Sequence, residues 1–336
     1  MLWEKTDGFG VRRSAAFSVH LSPFTSHPSL LLIAMKTGFL LIGALALALH
    51  ASFAVETGDP QSKIAFERDS NVWIANIDGT KARKLIMGED PRIAPDATKV
   101  AFTMTPPGSK DVERYIAVVD VETGATKIFK DMPSNNCFGP VWSPNGSQIL
   151  FEIFVDNHWR LGLVNADGTG FQFFKTPFRD QGWSSPCWAP DAKSIYCQDL
   201  ENICRFGLDG ELLAKWEVSK TIPKGDLDSS KRLSVSDDGK KLLIDLNMDE
   251  DVSLKDWEGP PPAIWILDIA SGKATRLTPK KSYASDSCWL SDSEILVVDA
   301  QKGAKTSSIY RVSLSNGASR LVIKNAVNPS ASADAR

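Results

Sequence analysis

Short apolar runs alternate with polar turn sequences along most of the chain, and a six-residue pattern precedes most of these runs. The pattern ends in a small residue, then Pro, Asp or Ser, then Asp or Asn. A short apolar strand follows within a few residues, then a loop, a second strand and a turn rich in Gly with Asp or Asn. This succession predicts four short antiparallel strands per repeat. The copies lie at 91–96, 140–145, 186–191, 233–238, 287–292 and 329–334.

The spacing of the copies indicates a propeller. Their final Asp or Asn residues are at 96, 145, 191, 238, 292 and 334, which gives a mean spacing of about 48 residues, the size of one blade. Residues 63–86 contain a repeat without its first strand, and 328–334 contain only a first strand. The sequence therefore predicts an all-β, six-bladed β-propeller with four antiparallel strands per blade, whose first blade is closed by the C-terminal strand. Ring closure removes exposed sheet edges.

The repeat also resembles a known family. Residues 142–146 read Trp-Ser-Pro-Asn-Gly, the strand at 149–151 reads Ile-Leu-Phe, an Asp-Gly turn follows at 167–168, and an outer strand at 276–278 reads Arg-Leu-Thr. In these features the chain resembles the TolB-like (WD40-like) propeller repeat family over about residues 62–336. The resemblance implies a bacterial protein that is periplasmic or secreted. The Tol-Pal member of the family has an α/β domain before its propeller, and we expect that domain to be absent here.

The first 54 residues differ from the repeats. Met35 and Lys36 precede an apolar run at 38–49, and a small-x-small sequence follows at 52–54. This pattern predicts a signal peptide over 35–54 with cleavage after Ala54, and a propeller over 55–336. The apolar run is too short to span a membrane, so no stable span is expected after cleavage. We interpret 1–34 as an upstream extension outside the translated protein; the alternative is a signal peptide with a long n-region.

Charge narrows the choice of partner. The chain has 38 Lys+Arg and 41 Asp+Glu, and removal of residues 1–54 changes the net charge from −3 to −5. Sequence-independent binding of nucleic acid requires a concentrated positive field, so no nucleic-acid partner is expected. The expected partner is a protein or an envelope glycan, and the expected state is a monomer.

The sequence has few features of an enzyme. Of four histidines, only His158 follows the signal segment, which excludes a His-rich metal site. No Gly-x-Ser-x-Gly elbow, glycine-rich phosphate loop, Cys-x-x-Cys pair or His-Glu-x-x-His motif occurs. The sequence therefore favours a non-catalytic binding protein without cofactor, metal or catalytic residues. The alternative is a carbohydrate-active lyase or hydrolase that uses paired carboxylates on the same propeller.

Candidate ligand-binding residues lie in loops of variable length that open on one side of the predicted ring. This side, here called the loop face, carries the loops between second and third strands and the connections between blades. Aromatic and Arg side chains there are typical binding hot spots, although ordinary solvated loops have a similar composition. The candidates are Asp156, His158 and Trp159; Arg179, Asp180 and Trp183; and Asp249, Glu250, Asp251 and Trp257.

Tryptophan and cysteine positions give two structural expectations. Trp142, Trp188 and Trp289 share one register of the repeat, so we expect them to pack between blades. Five cysteines remain after the signal segment, and an odd number leaves at least one thiol. Cys197 could face Cys187 or Cys204 across neighbouring strands, and free thiols are the third possibility.

Overall fold

The computed structural model describes residues 62–109, 112–176, 182–250, 259–280, 282–299 and 306–332. The chain divides into two units, Met1–Ala54 and Val55–Arg336, and all described residues belong to the second. Six antiparallel sheets form a ring. The predicted all-β, six-bladed propeller is therefore confirmed. Predicted candidates Arg179, Asp180, Asp251 and Trp257 lie outside the described residues.

The strands follow the chain in blade order. Blade 1 contains β1 (Lys63–Arg68), β2 (Asn71–Asn76) and β3 (Arg83–Met87); blade 2 contains β4 (Glu89–Ile93), β5 (Lys99–Met104), β6 (Tyr115–Asp120) and β7 (Thr126–Ile128). Blade 3 contains β8 (Cys137–Trp142), β9 (Gln148–Val155), β10 (His158–Asn165) and β11 (Gln172–Phe173). Blade 4 contains β12 (Ser184–Trp188), β13 (Ser194–Gln198), β14 (Asn202–Gly207) and β15 (Leu212–Glu217).

The second half of the ring contains the single described helix. The helix α1 (Val218–Thr221) precedes blade 5, which contains β16 (Gly225–Asp226), β17 (Leu233–Val235), β18 (Lys241–Met248), β19 (Pro262–Asp268) and β20 (Ala274–Arg276). Blade 6 contains β21 (Ser285–Ser291), β22 (Glu294–Asp299), β23 (Ser308–Ser313) and β24 (Ser319–Ile323), and the chain returns to blade 1 as β25 (Val327–Ala331). In the described part of the chain, no helix has the length and apolar character needed to cross a membrane.

The C-terminal strand closes the ring as predicted. β25 runs antiparallel to β1, with Ile64 opposite Ala331 and Ala65 opposite Ser330. The backbone N–H of Ser332 donates to the carbonyl of Lys63 at 3.0 Å. Blade 1 is thus assembled from the two ends of the propeller, and its pairing holds the ring shut.

Blade 5 departs from the regular repeat at its inner edge. Both β16 and β17 pair with β18, and residues 227–232 leave the sheet between them. Residues 219–231, which connect blade 4 to β17, contain most of α1 and the short strand β16. Residues 227–232 therefore position Arg232 at the inner edge of the ring.

The repeated tryptophans lie between blades, as expected. Trp142 and Trp188 are each 7% exposed and Trp289 is 2% exposed. Each indole Nε1–H donates to a backbone carbonyl of the preceding blade's inner strand: Trp142 to Arg92 (2.9 Å), Trp188 to Val141 (3.3 Å) and Trp289 to Ser234 (2.8 Å). One side chain therefore both fills the space between two sheets and fixes their register.

The cysteines are free thiols. Cys197 lies directly opposite Cys204 on β13 and β14, as one of the two expected arrangements required. The other arrangement is wrong, because Cys187 pairs with Tyr196. The β12–β13 register shifts by one residue between Ser184 and Cys187, as at a bulge.

Candidate binding site in the axial channel

A cavity of about 320 Å³ lies on the axis of the ring, and residues of all six innermost strands line it. We call it the axial cavity. Its wall is half apolar, with Trp142, Trp188 and Trp289 among its lining residues, and half polar. The charged side chains on the wall are Asp90, Arg92, Glu152, Lys231, Arg232 and Asp237. Three of the six, Asp90, Lys231 and Arg232, lie at or just before the start of an inner strand, and inner strands begin on the loop face.

A bulge near the start of five inner strands shapes this end of the cavity. One residue of each bulge has positive φ: Asp90 (50°), Gly139 (60°), Ser185 (54°), Asp286 (48°) and Asn328 (56°). The strand register shifts at the same positions. Bulges of this kind re-aim side chains, and Asp90, Gly139 and Ser185 line the axial cavity.

The bulges also connect four of the blades to the blade before each of them. A polar side chain on the second strand of one blade accepts a backbone N–H from the inner strand of the next. The four pairs are Glu67 Oε2 with Asp90 N (3.3 Å), Thr103 Oγ1 with Gly139 N (3.2 Å), Glu152 Oε1 with Ser185 N (2.8 Å), and Asp245 Oδ2 with Ser287 N (2.8 Å). The bonds satisfy N–H groups that the bulges remove from the sheets, as buried backbone requires.

Arg232 is the centre of a charged network that joins three blades. Its Nη2 lies 3.0 Å from Asp90 Oδ1 and 2.8 Å from Asn328 Oδ1, and its Nη1 donates to the carbonyl of Pro329 at 3.2 Å. The side chain is 11% exposed. Burial opposes the charge, but the fields of Asp286 and Asp90 outweigh it and raise the pKa of Arg232 above its usual value. Arg232 is therefore a fully engaged structural cation.

Arg92 shares the cavity wall but is bound less completely. Its Nη1 donates to the carbonyl of Pro91 at 2.9 Å, and it lies 4.0 Å from Asp90 Oδ1. The side chain is 17% exposed. Burial and repulsion by Arg232 lower the pKa of Arg92 to about 10, so it stays positively charged at neutral pH. Two guanidinium groups thus compete for the carboxylate of Asp90.

Burial raises the pKa of two carboxyl groups that lie between blades, those of Glu152 and Asp245. Glu152 is 5% exposed, and burial raises its pKa to about 8, with a smaller contribution from Asp90. Asp245 is 1% exposed, and burial raises its pKa to about 6 although Ser287 donates to it. Only Glu152 of these two lines the axial cavity. At neutral pH its carboxyl group is largely protonated and can donate a hydrogen bond there.

Glu152 makes stability depend on pH. An unfolded Glu ionises near pH 4.5, whereas folded Glu152 ionises near pH 8. Between these values the folded state binds more protons, so raising the pH lowers the free energy of unfolding. Glu152→Gln keeps an oxygen that can accept from Ser185 N and removes this dependence. Denaturant midpoints measured across that pH range should show the variant gaining on the wild type as pH rises. Glu122→Gln, on an exposed turn, is the control, and curves for Glu152→Gln and wild type that stay parallel would contradict this assignment.

The sequence-predicted loop residues lie in different surroundings. Asp156 and Asn157 form the β9–β10 turn with φ of 51° and 62°, and Asp156 and His158 are exposed. Trp159 is half-buried and packs on Phe154, with ring centroids 5.3 Å apart. Trp183 is 2% exposed and meets Phe206 edge-on at 5.0 Å, so its ring lies in the core rather than on an exposed platform.

The predicted acidic group is only partly described. Asp249 is exposed. Glu250 is paired with Arg276 at 2.7 Å and with Lys280 at 3.8 Å. Within the described ranges, no three His, Cys, Asp or Glu side chains come together as a metal site would require. Nothing described brings Asp249 and Glu250 together with the Asp156–Trp159 turn.

Arg114 connects the predicted turn to the axial cavity. Its guanidinium carbon lies 5.6 Å from the ring centroid of Trp159 and 5.0 Å from that of Phe138, and Phe138 lines the cavity. Its Nε and Nη2 both donate to Asn136 Oδ1, at 3.0 and 2.7 Å. A rim of one cation and two aromatic rings therefore runs from Trp159 to the cavity.

Sequence reasoning missed the charged residues of the cavity. Four of the five bulge residues precede a proline, namely Pro91, Pro140, Pro186 and Pro329. The recurring pair of a residue and a following proline, at the start of the repeat, was the sequence signal for these bulges. A bulge in an inner strand aims its side chain away from the sheet, so this signal could have indicated residues that face the cavity. Arg92 and Arg232 carry no such signal, since only ring closure brings them together.

Comparisons with known proteins agree with the fold. No protein-family model matches the chain. The structure of TolB from Acinetobacter baumannii has a TM-score of 0.62 at 17% identity, covering 82% of this chain and 67% of that one. A structure of the Nidogen/Laminin complex has a TM-score of 0.58 at 13% identity, covering 81% and 98%. Putative TolB from Agrobacterium tumefaciens has a TM-score of 0.53 at 13% identity, covering 79% and 90%.

One curated sequence is also similar. Tricorn protease homolog 1 of Streptomyces coelicolor is 38% identical over 107 residues, which are 31% of this chain and 10% of that protein. The match spans a small part of the relative, so the activity in its name does not transfer with it. The structural likenesses, at low sequence identity, concern the fold. With six antiparallel blades in a ring, the first completed by the C-terminal strand, this chain has a TolB-like β-propeller fold.

Proposed function

We propose that this protein is an exported, non-catalytic propeller that binds a protein or a cell-envelope ligand on its loop face. The observation that carries the proposal is the charged axial cavity, to which Asp90, Lys231 and Arg232 contribute from the loop-face ends of inner strands. Binding sites for small groups are concave, mostly apolar and supplied with a few directed polar groups. The signal-peptide pattern at 35–54 and the likeness to TolB structures support a periplasmic or secreted location.

The rim extends this surface beyond the cavity. Arg114, Phe138 and Trp159 form a connected cation–aromatic group, and residues of these types dominate binding energy in protein interfaces. The exposed side chains of Asp156 and His158 lie next to Trp159 in the chain. A partner that enters the cavity would contact this rim, so the predicted turn and the cavity form one surface.

A pull-down from envelope extract tests the proposal. The immobilised wild-type protein should retain a partner, and Trp159→Ala or Arg114→Ala should reduce its recovery about tenfold or more, as loss of a hot spot does. Arg179→Ala tests the second group of predicted candidates, Arg179, Asp180 and Trp183. Arg320→Ala on the outer strand β24 is the control, since this residue is exposed far from the inner strands. Undiminished recovery by all three loop-face variants would contradict the proposal. Trp183→Ala is unsuitable, because it would remove a core ring.

A specific observation favours a second function, that of a carbohydrate-active lyase or hydrolase. Glu152 and Asp90 line the same cavity, and Glu152 has the raised pKa of a general acid. Carbohydrate-active lyases and hydrolases use a pair of carboxyl groups, one of which has a raised pKa and acts as the general acid. Incubation with envelope polysaccharide would then release new reducing or unsaturated ends, and Glu152→Gln would abolish the release. If the wild type releases none, the binding function stands alone.

A further inference from the structure

The axial cavity contains a cation whose charge is incompletely balanced. Arg232 has three hydrogen bonds to Asp90, Asn328 and Pro329. Arg92 has one hydrogen bond, to a carbonyl, and stands 4.0 Å from the carboxylate that Arg232 already holds. Among the described residues, no other carboxylate lies within 4.0 Å of Arg92. Its remaining N–H groups can therefore serve a ligand.

Among the described residues, Glu152, Lys231 and Asp286 form no ion pair with Arg92. Glu152 is largely protonated at neutral pH. Lys231 is a third cation on the wall, after Arg92 and Arg232, and its Nζ lies 3.8 Å from Asp228. Asp286 contributes to the field at Arg92 but forms no ion pair with it among the described residues. A buried guanidinium in this position favours an anionic group that can accept two parallel hydrogen bonds, as a carboxylate does.

Resting on the proposed function, we propose that the axial cavity binds the free C-terminal carboxylate of a partner peptide, with the carboxylate on Arg92. The last side chain of the peptide lies against the apolar half of the wall, which includes Trp142, Trp188 and Trp289. The neutral carboxyl group of Glu152 donates to a peptide carbonyl. The partner is thus recognised by its chain end rather than by a folded surface.

The size and the walls of the cavity favour a peptide end over a longer ligand. A volume of about 320 Å³ is at the lower limit of small-molecule sites, enough for one or two residues. The innermost strands β4, β8, β12, β21 and β25 are edge strands of their sheets, so backbone groups on their inner edges face the axis. Extended peptides bind such groups through their own backbone. An acidic sugar would supply the carboxylate but few apolar atoms for the three indoles.

Ligand-observed NMR with the full propeller tests this assignment. The probes are a pool of N-acetyl dipeptides ending in Leu, Ile, Val, Phe or Ala, the same pool as C-terminal amides, and glucuronate as the acidic sugar. We expect saturation transfer to the free acids and a loss of about tenfold or more in affinity for the amides, because the charge-assisted contact is removed. Arg92→Gln should cause a similar loss, and Arg320→Gln should cause none. Thermal melting of each variant reports whether it is folded.

Four outcomes of the NMR experiment would overturn the assignment of the cavity to a peptide C-terminus. Equal binding of acids and amides, undiminished binding by folded Arg92→Gln, or binding of glucuronate alone would overturn the peptide-end assignment. Absence of all binding by folded wild type would also overturn it. The pull-down then separates the two proposals: if Trp159→Ala still loses the envelope partner, the loop face binds a ligand of another class. If all loop-face variants retain that partner as well, the proposed function fails independently.

Discussion

Replacing Trp142 by alanine is expected to lower the free energy of unfolding by about 3–5 kcal/mol. The ring is 7% exposed and belongs to one buried hydrophobic cluster with Ala94 and Ala101 of blade 2 and Ile149 of blade 3. Its removal leaves a cavity between two sheets and a buried carbonyl, that of Arg92, without its donor. Denaturant unfolding of the wild type and the variant measures the difference.

A matched pair of milder variants separates packing from hydrogen bonding. Trp142→Phe keeps most of the ring and removes the bond to Arg92, so it should cost about 1–3 kcal/mol for a buried group left unsatisfied. Trp265→Phe makes the same chemical change where the indole N–H is buried and has no hydrogen-bond partner among the described residues. That variant should be neutral or stabilising. A neutral Trp142→Ala, or equal costs for the two Phe variants, would contradict the interblade role.

The ring could be predicted from sequence because its determinants are local and repeated. Each copy of the pattern combines a turn, a strand start and, in three blades, an indole in the same register. The split blade was also predictable, since residues 63–86 lack what 328–334 supply. Blade 5 was harder. Its inner edge is divided between β16 and β17, and no residue in 227–232 marks where the sheet is interrupted.

The candidate site was less predictable because its contacts join distant parts of the chain. Arg232 and Asp90 are 142 residues apart in sequence and 3.0 Å apart in space. From sequence alone, a charged residue in a strand is predicted to be exposed to solvent. Its ion-pair partner becomes evident only when the fold of the ring is known. Trp183 shows the opposite error: its position next to a variable loop predicted an exposed aromatic side chain, but it is buried. Its ring contacts Phe206 in the core, and the sequence alone does not show which residue Trp183 packs against.

The network around Arg232 should make a second large contribution to stability. Arg232→Met removes a cation whose side chain is 11% exposed and leaves Asp90, at 13%, as a buried carboxylate beside Arg92. Loss of one partner of a buried ion pair typically costs about 3–5 kcal/mol. The exposed pair of Lys240 and Asp238, at 3.1 Å, provides the control, and Lys240→Met should change stability by no more than about 0.5 kcal/mol.

A double-mutant cycle with Asp90→Asn tests whether the pair itself causes the loss. Asn suits the positive φ of 50° at this position, so the substitution removes the charge without backbone strain. Because the neutral amide no longer needs a cation, the double variant should be more stable than the sum of the single losses predicts. Additive losses would mean that Arg232 acts through Asn328 and Pro329 instead. In that case the carboxylate of Asp90 would be free to neutralise Arg92, and the cavity would lose the unbalanced charge on which peptide binding depends.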